Sequence, residues 1–160
     1  MSKLDFEILG KSKKREILKE VADYGIKNLP YILIKWGKKF RIFSGNIEKK
    51  LLLEILKKIN VDSIGLYFAS KENEIRINLD ALHIFSKQLT KNILHISDIQ
   101  AREWFKGNDI ILNKEQEKEI RGFTRKFVIL KHRGDIIGMG KIKQSNIISN
   151  FMPKERRIKE

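Results

Sequence analysis

Phe127-Val-Ile-Leu-Lys131, His132-Arg-Gly-Asp135 and Ile136-Ile-Gly-Met-Gly-Lys-Ile-Lys143 follow one another near the end of the chain. The two apolar runs are strand-like, and the tetrad between them holds the residue types that a tight hairpin turn demands. Gly134 to Lys141 has a superficial likeness to a phosphate-binding loop. Its spacing is wrong, however, and Ile142 stands where a Ser or Thr would hold magnesium. Gly138 and Gly140 instead predict a bent strand or a close approach by another part of the chain. Working outward, Ile93–Ile96, Asp109–Leu112 and Ile147–Met152 are expected as further short strands. A helix is expected from Ser97 or Asp98 to Phe105, stopped by Gly107, and a charged stretch runs from Asn113 to Glu119. Pro153 is expected to end the last strand. Many short strands around one helix suit a small barrel or pseudobarrel.

The first half has a different rhythm. Ile17, Leu18, Val21 and Tyr24 form one stripe of a helix over Lys13–Tyr24, with Gly25 as its stop. Tyr31–Trp36 and Phe40–Phe43 are expected to pair as a hairpin. A second helix is expected after an Asn46 cap, with Leu51, Leu52, Ile55, Leu56 and Ile59 on its stripe. Strands at Ile64–Ala69 and Glu74–Asn78 and a helix over Leu79–Ser86, capped by Asn78, complete this half. The composition shifts near residues 87–92, so the reading is of an α+β chain: an N-terminal α/β domain over residues 1–87, packed on a C-terminal β pseudobarrel over residues 88–160.

The chain has 160 residues and a net charge of +14. Ile and Lys alone make up nearly a third of it, as an AT-rich genome or a hot habitat would favour without any partner. A genome-wide bias would spread evenly, but this surplus does not. Residues 81–120 carry six basic and six acidic side chains, whereas residues 121–160 carry eleven basic against three acidic. Such crowding points to a polyanion, and nucleic acid is the commonest. Lys141 and Lys143 alternate along one strand; Lys154, Arg156, Arg157 and Lys159 follow Pro153; Arg102 and Lys106 lie four apart on one helix. Each group alone suits a solvated face, and their convergence on one small domain raises the case for binding.

Catalytic signals are scarce. The chain has no cysteine, which excludes disulfides, thiolate nucleophiles and cysteine-held zinc. His83, His95 and His132 lack metal-ligand spacing, and no Gly-x-Ser-x-Gly elbow or paired carboxylate motif occurs. No metal or cofactor is expected. No segment approaches the ~20 apolar residues of a membrane span, and Lys3, Asp5 and Glu7 fall where a signal peptide would be apolar. The expected setting is cytoplasmic, without membrane contact.

Ala101-Arg-Glu-Trp-Phe-Lys-Gly107, Asp109-Ile-Ile-Leu112, Val128-Ile-Leu-Lys131 and Asp135-Ile-Ile-Gly-Met-Gly140 together resemble a PUA domain, the pseudobarrel of pseudouridine synthases and archaeosine transglycosylases. The whole chain also resembles archaeal members of the "nuclear import seven" ribosome-biogenesis family, through Glu20-Val-Ala-Asp-Tyr-Gly25, Lys39-Phe-Arg41, Gly65-Leu-Tyr-Phe68 and Ile75-Arg76. It is equally similar to the PUA module of Fmu/RsmF-type RNA methyltransferases, through Gly65-Leu-Tyr-Phe-Ala69 and Pro153-Lys-Glu-Arg-Arg157.

The resemblance implies binding of structured RNA, rRNA or tRNA, by Arg102, Lys106, Lys143, Lys154, Arg156 and Arg157. Lys141 and Lys159 join them from the charge pattern. It also implies that the N-terminal domain meets ribosome-biogenesis or RNA-modification proteins, or helps position RNA. It does not imply methyl transfer, because 160 residues leave no room for a methyl-donor domain and the cysteine of such enzymes is absent. The expectation is a non-catalytic RNA-binding protein. The alternatives are a protein-interaction adaptor in a pre-ribosomal complex and an accessory subunit of an RNA-modifying enzyme.

Overall fold

The computed structural model describes residues 6–159, so the expectation resting on Lys3 and Asp5 lies outside the described residues. The first sheet is antiparallel throughout, in the order β1 (Phe6–Ile8), β2 (Ile32–Trp36), β3 (Lys39–Phe43), β4 (Leu66–Lys71) and β5 (Ile75–Ile77). Its strands alternate in side-chain direction, as a period of two requires. Ile34 and Phe43 face α2 (Lys49–Lys58), which contributes Leu52 and Leu56. Leu33, Phe40 and Ile42 face the other way, into a core shared with α1 (Lys11–Val21) and α3 (Leu79–Ile84).

Local chemistry sets the helix ends. After α1 a 3-10 turn over Ala22–Tyr24 stops at Gly25, whose φ of 105° a side chain rarely adopts. Asn78 caps α3 by accepting from the Asp80 amide. The expected Asn46 cap fails. Ile47 packs against the Leu52–Leu56 cluster, so the chain stays extended through Glu48, which begins α2 without a side-chain cap. The expected stripe on α2 is also too wide: Leu52 and Leu56 are buried, but Leu51 and Ile59 are 50% and 58% exposed because α2 covers only one strip of sheet.

The second sheet runs β6 (Ile93–His95), β8 (Phe127–His132), β9 (Asp135–Gln144), β10 (Ile147–Ser149) and β7 (Ile110–Ile111). β6 is parallel to β8, and the other pairs are antiparallel. The β8–β9 hairpin closes at His132 and Asp135, with Arg133 (φ 49°) and Gly134 (φ 91°) both left-handed as the favoured two-residue turn needs. Two helices flank this sheet where one was expected. The first, α4 (Asp98–Lys106), begins with a reciprocal capping box between Ser97 and Gln100 and ends at left-handed Gly107. The second, α5 (Lys114–Ile120), occupies the charged stretch, with a second capping box between Asn113 and Gln116.

The last strand stops three residues earlier than expected, at Ser149 rather than Met152. Asn150 draws the chain off the ladder. Its backbone amide donates to Asp109 Oδ1 at 2.9 Å, and its side-chain amide donates to the Trp104 and Asn108 carbonyls at 2.8 and 2.9 Å.

β8 and β9 serve two cores. Phe127, Ile129, Ile136 and Met139 join the core of α1, α3 and the first sheet, while Val128, Leu130 and Ile137 point into a second core around Trp104. Polar links reinforce the first junction. Tyr24 donates its hydroxyl to the Phe127 carbonyl at 3.0 Å, and Arg125 pairs with Asp23 at 2.7 Å. The segment at the composition shift is likewise pinned: Gln88 accepts from the Lys27 and Asn28 amides, and buried Asn92 donates to the Asp23 carbonyl and Thr124.

Candidate RNA-binding interface

Trp104 organises the second half. It is 1% exposed, and its indole N–H donates to the Ile137 carbonyl at 3.1 Å. Its ring lies against the β9 backbone. A Cβ built on Gly138 would lie 3.0 Å from Trp104 Cζ2, and one on Gly140 would lie 2.2 Å from Ile148 Cγ2 and 3.3 Å from Trp104 Cζ3. The Gly-Met-Gly run is therefore a seat for an indole, and its burial removes it from phosphate binding.

The chain after Met152 folds back on α4. A 3-10 turn over Lys154–Arg156 leads to Ile158, whose amide donates to the Phe105 carbonyl at 2.8 Å. Arg157 donates to the Met152 carbonyl at 3.1 Å and covers Gly107, where an added Cβ would lie 2.5 Å from Arg157 Cδ. The tail thus sits beside the helix that carries exposed Arg102 and half-buried Lys106. Lys154 and Lys159 are exposed on the same segment, and Lys143 is exposed on β9.

Three expected contacts have other duties. Arg156 donates two hydrogen bonds to Asp80 on α3, at 3.0 and 2.9 Å, and Arg157 is held as described. Lys141 is half-buried over the Phe127 ring, 5.5 Å from its centroid, where it lines a cleft. The sequence pattern brings all eight cations together on one small domain. The structure joins the tail to α4 and directs Lys141 to the cleft.

At the other end of α4, Asp98 accepts from Arg133 at 2.6 and 3.0 Å and meets His132 Nε2 at 2.7 Å. The hydrogen bonds from Arg133 and then His132 hold its carboxyl down to about 2. This exposed group clips the hairpin turn to the first turn of α4, where a negative charge also suits the helix dipole. His83 and His95 are exposed, and neither hydrogen-bonds Asp98. Among the described residues no three His, Asp or Glu side chains gather as a metal site would need, and no helix is long and apolar enough to cross a membrane.

A helix closed by glycine, a short strand after it, and a tight hairpin whose second strand carries Gly-x-Gly are the features that resemble a PUA domain, an RNA-binding module. Residues 91–158 match the family described as the methyltransferase RsmF PUA domain, which makes this segment a PUA domain related to those of Fmu/RsmF-type methyltransferases. No curated protein matches the chain.

Proposed function

We propose that this protein binds structured RNA without transforming it, as a factor in RNA modification or ribosome biogenesis. The observation that carries the reading is the coincidence of a PUA domain over residues 91–158 with a chain whose last forty residues hold eleven basic and three acidic side chains. In this reading residues 88–160 form the RNA-binding pseudobarrel. Arg102, Lys106, Lys143, Lys154 and Lys159 meet phosphates, while Arg156 and Arg157 chiefly shape the tail. Phosphate contacts fix register and supply salt-dependent affinity. The first half stabilises the second through the β8–β9 face and contributes surface for protein contacts. A second reading draws on the kind of PUA domain that matches: an accessory RNA-binding subunit of an RNA-modifying enzyme.

Fluorescence anisotropy with tRNA and rRNA fragments over a salt series tests the binding. Affinity that falls steeply with salt is expected, and no binding at low salt overturns the proposal. Nucleoside mass spectrometry of RNA incubated with the protein, with and without S-adenosylmethionine, tests catalysis. An unchanged nucleoside profile is expected.

A further inference from the structure

A cleft of about 390 Å³ opens between the two sheets, lined by cations and aromatic rings from both halves of the chain. Its cations are Lys38, Lys39, Arg76, Lys126 and Lys141, against the carboxylates Glu72 and Glu74. Three rings stand among them: Tyr67 on β4, Phe127 on β8 and Phe151 after β10. Each ring carries a cation on its face: Lys39 over Tyr67 at 5.3 Å, Arg76 over Phe151 at 5.1 Å and Lys141 over Phe127 at 5.5 Å.

Two properties make this more than a charged groove. First, among the described residues Lys39, Arg76 and Lys141 form no salt bridge, and the cleft's five cations outnumber its two carboxylates, although Lys141 and Arg76 share the field of Glu72. Glu72 is taken by Lys38 at 2.8 Å, and that hydrogen bond lowers its carboxyl below the ordinary range. Second, Phe151 is 37% exposed although it stands in contact with Phe127, edge to face at 5.3 Å between centroids. A phenyl ring held at a fixed angle beside a guanidinium and left open to water lacks an apolar cover. Rings beside a surplus of cations are the elements by which proteins hold unpaired nucleotides: the rings stack bases and the cations track the backbone.

We propose that this cleft receives an unstacked nucleotide of single-stranded RNA, its base stacked on Phe151 or Tyr67 and its flanking phosphates held by Lys39, Arg76 and Lys141. The proposal rests on the RNA-binding reading above and extends it, since half of this site comes from the first sheet and none of it from α4. Stacking and charge are indifferent to base identity, so the cleft selects single strands rather than sequences.

The test uses the full chain and fluorescein-labelled oligonucleotides: oligo-U, oligo-A and a blunt RNA duplex of equal length. Phe151→Ala should weaken both single strands about 5- to 150-fold, the range that loss of one base–aromatic stack gives. Duplex affinity should stay within about twofold, and Phe151→Trp should restore single-strand binding. Oligo-U substituted with 5-iodouridine should photocrosslink to Phe151 or Tyr67, located by peptide mass spectrometry. Lys39→Glu/Lys141→Glu supplies the same reading should Phe151→Ala melt early. RNA binding unaffected by these changes, or equal losses for single strand and duplex, overturns the cleft while leaving the PUA reading intact. Failure of the wild-type protein to bind any of the RNAs overturns both.

Discussion

Replacing Gly138 by Ala tests whether the second half is built around Trp104. The residue sits at φ 145°, and its missing side chain leaves the indole its place, with the ideal Cβ only 3.0 Å from Trp104 Cζ2. Two costs follow. Forcing an alanine into a backbone region that glycine occupies freely costs about 1–3 kcal/mol. Crowding a rigid, fully buried ring adds a further 1–3 kcal/mol or so, because the indole is fixed by its hydrogen bond to Ile137 and cannot swing away. The smaller unfolded-state entropy of alanine returns less than about 1 kcal/mol. A net loss of about 2–5 kcal/mol is expected, or a Tm lower by roughly 5–15 °C for a chain of this size. Urea and thermal melts followed by far-UV circular dichroism measure it. Gly140→Ala separates the causes, since it meets Ile148 Cγ2 at 2.2 Å without a left-handed φ. Gly122→Ala is the control, its Cβ being in ordinary contact with the Glu119 carbonyl at 3.5 Å. If Gly138→Ala lies within about 0.5 kcal/mol of the wild type, as an ordinary surface substitution would, Trp104 does not fix this strand.

The Asp98 carboxyl lies near 2 when folded and near 3.8 ordinarily, so the clip to Arg133 and His132 supports the fold above about pH 4 and is lost as pH falls through 2. Asp98→Asn should flatten the drop in Tm over that window, by an amount that shrinks at high salt because the group is exposed. Arg156→Ala/Arg157→Ala should reduce the slope of log affinity against log salt by less than the roughly 1.5 that two freely contacting arginines would give, because Asp80 and the Gly107 cap already engage them. A reduction of that full size would place both on phosphate. A fragment of residues 88–160 should bind 1-anilinonaphthalene-8-sulfonate and melt without a sharp transition, having lost the cover over Phe127, Ile129, Ile136 and Met139. A cooperative melt without dye binding would show that the fragment stands alone.

The elements readable in the sequence were those whose ends are chemically marked. Asn78, Ser97, Gly25 and Gly107 sit at helix boundaries where side-chain acceptors or a left-handed backbone are needed. The helix α5 was hidden because only Gln116 and Ile120 of its residues are buried, which leaves no apolar stripe. Its one signal was Asn113 with Gln116 three residues on, the reciprocal capping pattern. β1 is three residues long and pairs only with β2, too short for alternation to register. Pro153 and the basic cluster marked where the tail begins, but Arg156 pairs with Asp80, 76 residues away in sequence, and Arg157 packs over Gly107, 50 residues away. The cleft was illegible for the same reason: Lys39, Tyr67, Arg76, Lys141 and Phe151 share no local pattern, and only folding makes them neighbours.

The strand β8 sends Phe127 and Ile129 into one core and Val128 and Leu130 into the other. A strand with two buried faces has no side left on which polar substitutions are cheap, so drift along it is confined to swaps among apolar residues of similar size. The two halves are also poor candidates for exchange. A PUA segment cut from this chain and grafted behind a foreign domain would bring an uncovered apolar wall, and its new neighbour would need a matching surface from the outset. Inheritance of the two halves as one unit is the outcome such a shared strand favours.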